Sequence, residues 1–276
     1  MSQLTITLAD VERLRAYRWR KQPSRRIASE RGALRLIEEL GFVLLVSIGD
    51  EEMPSIHAAA GGDWGVWWDW KQTLPERKAC CYAKVIRRRG TFISWEWFPR
   101  FYAAYADPRP YWRLYRDGLL DRTEKQVLDL LADRGPMMTR KLRLEFGPRS
   151  KENTRRVKSI LVDLQTRFLV TAAGGDTSGW SHHRWDLVER WVPARRLAAA
   201  ARLSREEARA QIIERFVANM IATSEADICW TFGWERRQVA ALVADLLARG
   251  RLQRAHAPEL EADVLVPRPW PGRAKR

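Results

Sequence analysis

Cysteine is nearly absent from this chain. Three occur in 276 residues, with Cys80 and Cys81 adjacent and Cys229 far away. That is no disulfide framework, and it fits a reducing compartment. Histidine is scarce too, with four residues at no ligand spacing to those thiols, so neither a metal site nor a cofactor is expected. No stretch approaches the roughly 18 consecutive apolar residues of a membrane span. The opening MSQLTITLADVERL lacks the basic-then-apolar layout of a secretory signal. Carboxylates are the minority charge, 34 Asp and Glu against 49 Lys and Arg, for a net +15. That excess favours a polyanionic partner, most commonly nucleic acid. The expectation is a cytoplasmic, nucleoid-associated monomer that meets DNA and no membrane.

The residues that are present suffice for a core. At 46% hydrophobic and 30% charged the chain is not disordered as a whole, and its length suggests two domains or three small ones. The organising stretch runs from about Arg149 to Arg190. Val157, Ile160, Leu161, Leu164 and Phe168 fall at the spacing of one apolar helix stripe. Lys151, Arg155 and Lys158 share a face turned away from it, with Arg149 and Arg156 nearby. Two strand-like segments follow, joined by GGDTSG, where Gly174, Gly175 and Gly179 permit φ > 0. A solvated charged helix packed on a hairpin would satisfy this pattern; so would the helix and wing of a winged helix, with the helix in the major groove and the wing on the backbone.

The rest of the chain supports the second reading. Thr123 to Asp133 forms a helix, Thr139 opens a short second one, and the basic helix is third. Another helix–helix–helix–strand succession starts at Ser204, with a capping box to Glu207, and carries Arg236 and Arg237 at the start of its third helix. Near the start of the chain, Thr7 is placed to cap one helix, and a second, with Ala33, Leu34, Ile37 and Leu40 on one face, ends at Gly41 before the strand FVLLVSI. The expected fold is therefore mainly α with small β wings, built as tandem winged-helix modules. The expected divisions are 1–60 for an N-terminal winged-helix-like module, 61–118 for a Trp-rich basic insert, 119–192 for the central winged helix, 203–262 for the C-terminal one, and 263–276 for a basic disordered tail.

In the insert, Trp64, Trp67, Trp68, Trp70, Trp95 and Trp97 alternate with Lys71, Arg77, Lys78, Lys84 and Arg87 to Arg89. Most single tryptophans of this kind are core. As a cluster they suit an exposed base, one ring stacking on it while a cation holds its phosphate. The DNA-binding residues expected from sequence are thus Arg149, Lys151, Arg155, Arg156, Lys158, Arg236, Arg237, Trp68, Trp70 and Lys71.

Three segments, LIEELGFVLLVSI, WDWKQTLPERKACCYAKVIRRRGTFIS and the helix–wing unit from Asp121 to Trp191, resemble the AlkZ/YcaQ family of bacterial DNA glycosylases, in particular its shorter AlkZ-related branch. The resemblance covers roughly Ser24 to Arg254. It implies tandem winged helices cradling damaged or crosslinked DNA, and base excision by hydrolysis of an N-glycosidic bond. The family carries Gln-x-Gln or Gln-x-Asp on the strand after the Leu-Gly turn; here those positions are Leu44 and Val46. Neither side chain polarises water, so that chemistry does not carry over. Replacement candidates are the carboxylates Asp50, Glu51, Glu52 and Asp69, and Lys84 or Lys71 as an amine nucleophile toward the sugar. Each also has a plain structural reading, an acidic loop or a turn cap. Three functions remain open: DNA binding without cleavage, a glycosylase with a rearranged site, and a winged-helix transcription regulator.

Overall fold

The computed structural model describes residues 4–47, 53–177 and 182–273. Among the described residues the fold is mainly α with three small three-stranded sheets. The chain opens with β1 (Leu4–Thr5) and α1 (Leu8–Arg18), then α2 (Glu30–Leu40) and β2 (Phe42–Leu44). Local chemistry sets these ends. The Thr7 hydroxyl accepts from the Asp10 N–H at 3.1 Å, and Ser29 does the same for Gly32 at 3.2 Å. Gly41 closes α2 at φ 83, and a β-carbon there would lie 2.6 Å from the Trp97 ring, so both backbone and space require glycine.

The second region supplies three short helices, α3 (Ile56–Ala59), α4 (Trp64–Trp67) and α5 (Trp70–Glu76), then the hairpin β3 (Cys81–Ile86) and β4 (Arg89–Ile93), then α6 (Phe98–Tyr105) and α7 (Tyr111–Arg116). The sheet order is β2-β4-β3, all antiparallel. The boundary expected between residues 60 and 61 therefore falls between strands of one sheet: the insert completes the β2 sheet rather than standing apart from it.

The central unit runs α8 (Arg122–Arg134), β5 (Met137–Met138), α9 (Thr139–Glu145), α10 (Lys151–Thr166), β6 (Val170–Gly175) and β7 (His183–Leu187), with sheet order β5-β7-β6. After α11 (Val188–Trp191) and α12 (Ala194–Ala200) comes a second unit: α13 (Arg205–Met220), α14 (Glu225–Phe232), α15 (Arg236–Ala248), β8 (Leu252–Ala257) and β9 (Ala262–Pro267). Its sheet is completed from the other end of the chain, because β1 pairs in parallel with β8. α1 goes with it: Arg15 donates to the Met220 and Ala222 carbonyls, and the Trp19 indole donates to Asn219 O at 2.8 Å. The described residues of the first 60 thus divide between two sheets and do not close on themselves.

The tail from 263 is another correction. β9 runs to Pro267, Val264 to Val266 are buried and Trp270 is 8% exposed, so the segment is anchored to a core at both ends while Asp263, Arg268 and Pro269 stay exposed. The alternating apolar residues Val264 and Val266 face a core shared with Ile6, Val11 and Ala255, which outweighs the prolines around them. No helix among the described residues is long and apolar enough to cross a membrane.

Candidate nucleic-acid interface

α10 is built as its periodicity demands. Ser150 caps it by accepting from the Asn153 N–H at 3.0 Å, while Val157, Ile160, Leu161 and Leu164 are buried. Its first turns turn Arg155 and Lys158 outward. The later ones are covered: Val162 is 8% exposed, and this side of the helix packs against β3.

That contact creates a cleft of about 750 Å³. One wall is α10, through Arg155, Lys158, Ser159 and Val162. The opposite wall is the β3–β4 hairpin, through Tyr82, Lys84, Arg87, Arg88 and Arg89. Trp64, Trp68 and Lys71 come from α4 and α5, Leu45 and Val46 from the end of β2, and His183 from β7. Seven Lys and Arg side chains line it, and among its described lining residues there is no Asp or Glu.

The electrostatics follow from this crowding. Burial lowers the Lys84 pKa below the usual lysine value, and the neighbouring Lys158, Arg88 and Arg89 lower it further. Lys71 is 4% exposed, and its Nζ lies 3.1 Å from the Trp68 ring centroid and donates to Trp68 O at 2.9 Å. Burial brings its pKa down to about 7, against the opposing pull of Asp69. Burial, then Lys71 and Lys84, drives His183 down to about 3, so the imidazole is neutral at pH 7. Its Nδ1 is buried without a partner. Trp64, at 50% exposed, stands at the mouth with Trp68, their ring centroids 5.3 Å apart.

The hairpin tip is unusual. Arg87 and Arg88 sit at φ 48 and 58, left-handed values normally reserved for Gly, Asn or Asp in a two-residue turn. They are held from both sides: the Arg87 guanidinium lies 3.2 Å from the Trp230 ring centroid on α14, and Arg88 pairs with Asp163 on α10. A second groove of about 590 Å³ continues the basic surface past Arg155 to Arg140, Arg143, Arg149 and Lys151.

Residues 27–233 match the family described as AlkZ related. The chain belongs to that family. Among solved structures it is similar to the Streptomyces sahachiroi DNA glycosylase AlkZ, at TM-score 0.61 and 12% identity, over 96% of this chain and 71% of that one. Among curated proteins none matches.

For this AlkZ-related chain, the residues singled out from sequence distribute unevenly. Arg155, Lys158, Trp68, Lys71 and Lys84 meet in the main cleft, and Arg149 and Lys151 in the adjoining groove. Trp70 is 7% exposed and packs in the core. Arg156 points away, donating to Thr123 Oγ1 at 3.0 Å. Arg236 and Arg237 are exposed at the start of α15. Asp69 is not part of the cleft lining, and Asp50, with Glu51 and Glu52, lies outside the described residues. Of the two strand positions implied by the resemblance, Val46 lines the cleft but Leu44 is fully buried in the core, its place taken by Leu45. The strand ends at Leu44, so strict alternation stops there.

Sequence reasoning did not find Tyr82 and His183. Their signal was the alternation of the strands that carry them, which gives a face but not the neighbour across it. At the β6–β7 hairpin Gly174 takes φ 117, the left-handed backbone its glycine permits, while Gly175 does not. Gly174 and Gly175 belong to β6, and a β-carbon on either would come within 3 Å of Glu76 or Gln72 on α5. Both glycines thus also allow the hairpin to pack closely on α5; Gly179, with residues 178–181, is outside the description.

Proposed function

We propose that this protein binds DNA along the α10–hairpin cleft, as a monomeric, cytoplasmic repair protein that recognises duplex or damaged structure and does not cleave the glycosidic bond. The observation that carries this reading is the convergence of seven Lys and Arg side chains on one concave surface fringed by Trp64 and Trp68. Like charges gathered in a cleft repel one another, as at Lys84, whose pKa is lowered by burial and then by Lys158, Arg88 and Arg89, and phosphates relieve that repulsion. Two winged-helix units supply the frame in this reading, α8 to β7 and α13 to β9, with β1 added to the second.

Cleavage by activated water is disfavoured because the β2 side of the cleft presents Leu45 and Val46, which neither polarise water nor stabilise a glycosyl cation. A free-standing transcription regulator is disfavoured because the later turns of α10 are covered by β3 rather than open to a groove. The test is incubation with alkylated and crosslinked duplexes, read first by gel shift and then by alkali. A shifted complex with no new alkali-labile sites is expected. Breaks above background would make the protein a glycosylase with a relocated site, and no shift on any duplex would remove the DNA-binding reading.

A further inference from the structure

Two features of the cleft are not needed to hold phosphates: an amine sunk into its floor, and an aromatic wall around that amine. Arg155 and Lys158 stand on the exposed face of α10, and Arg87 and Arg88 at the hairpin tip, where a backbone would pass. Lys71 instead is 4% exposed, fixed by its bond to Trp68 O and laid on the Trp68 ring, with Tyr82 and His183 lining the same cavity. An amine in such a place contacts whatever leaves the helical stack rather than the strand that carries it.

We infer that Lys71 is a covalent capture residue for abasic sites, its Nζ condensing with the C1′ aldehyde of a ring-opened deoxyribose seated between Trp68 and Tyr82. The inference rests on the reading of this cleft as a DNA site. In the condensation the Nζ lone pair forms a bond to C1′, the aldehyde oxygen departs as water carrying both amine protons, and an imine remains. Hydrolysis reverses the step with the same atoms, so no further reactant is required. An abasic nucleotide suits the cavity because it has no base to unstack and carries a sugar aldehyde, a group that intact DNA lacks.

The geometry distinguishes Lys71 from Lys84, the other amine of the cleft. Lys84 faces Lys158, Arg88 and Arg89, the seat for phosphate, whereas Lys71 faces Asp69 at the head of its own helix and the neutral His183 from β7. Its low pKa leaves a share of molecules with a free lone pair at neutral pH. The amine keeps its N–H bond to Trp68 O in that form, so the lone pair stays oriented.

The test uses the full chain with a duplex carrying one abasic site, reduced with sodium cyanoborohydride and resolved on a denaturing gel, with binding of the same duplex followed in parallel by anisotropy. A covalent complex is expected, and proteolysis of the wild-type adduct should place the reduced sugar on the peptide containing Lys71. Lys71→Met should lower trapping by about tenfold or more, as loss of the nucleophile requires. Because mapping is done on the wild-type protein, the result does not depend on how that variant folds. Binding without trapping, or adducts spread over exposed lysines such as Lys151 and Lys158, would overturn the inference and leave the DNA site standing. Absence of binding would overturn both.

Discussion

Lys71 carries the clearest consequence at the scale of a single residue. A lysine that releases its proton near 7 when folded and at 10.5 when unfolded binds fewer protons in the native state between those values, so native stability rises with pH across that window. Below pH 7 the full cost of a buried cation is present. Lys71→Met should therefore stabilise the protein at pH 6, by a net amount on the order of 1 kcal/mol once the lost carbonyl bond and ring contact are subtracted, and raise its melting temperature accordingly. The gain should fade as pH approaches 10.5; calorimetric melts at pH 6, 8 and 10 measure it, and a pH-independent difference would contradict the low pKa. Residues of this kind were only partly legible in the sequence. Thr7 and Gly41 cap their helices as their types require, because a cap depends on neighbours a few positions away. Ser204 supplies only half of the expected capping box, accepting from the Glu207 N–H, whereas Asp121 with Glu124 forms a complete one. Residue type does not tell which side of a helix meets a distant element, and so the burial of Trp70 and the bond of Arg156 to Thr123 needed the structure.

Among the elements, the β3–β4 hairpin places two arginines where left-handed backbone costs about 1–2 kcal/mol per residue. The contacts that hold them recover less, about 0.5–1 kcal/mol for an exposed cation–π pair and at most about 1 for a surface ion pair. Replacing the pair as Arg87→Asn with Arg88→Gly should thus raise stability by about 1 kcal/mol while weakening DNA binding, a trade expected where strain positions a ligand contact. Urea denaturation and anisotropy read the two effects, and a variant that loses stability and keeps its affinity would refute this role for the turn. Helix positions in the two helix–helix–helix–strand units were readable from periodicity, since α10 buries Val157, Ile160, Leu161 and Leu164 of its stripe, and α15 buries Val239, Val243 and Leu246 with Leu242 and Leu247 half-buried beside them. Partnership between elements was not. The pairing of β1 with β8 spans nearly the whole chain, and the joining of β2 to β4 crosses the Trp-rich segment. No local pattern encodes either, because a two- or three-residue strand carries too few side chains to specify its partner.

For the molecule as a whole, the net charge of +15 is concentrated in its effect: a basic surface runs from Arg140 through Arg155 to the Arg87–Arg89 turn. The charge balance made a polyanionic partner legible from composition alone, while its location needed the contact between α10 and β3. The central claim is that phosphates occupy this surface. The most direct measurement is the affinity for a short duplex as a function of salt, for the wild type, Arg155→Ala with Lys158→Ala, and Arg156→Ala. Each phosphate contact contributes about −0.9 to the slope of log K against log salt, so the double variant should bind more weakly with a slope shallower by about two. Arg156→Ala, whose guanidinium is turned to Thr123, should match the wild type. A double variant with an unchanged slope would contradict the account.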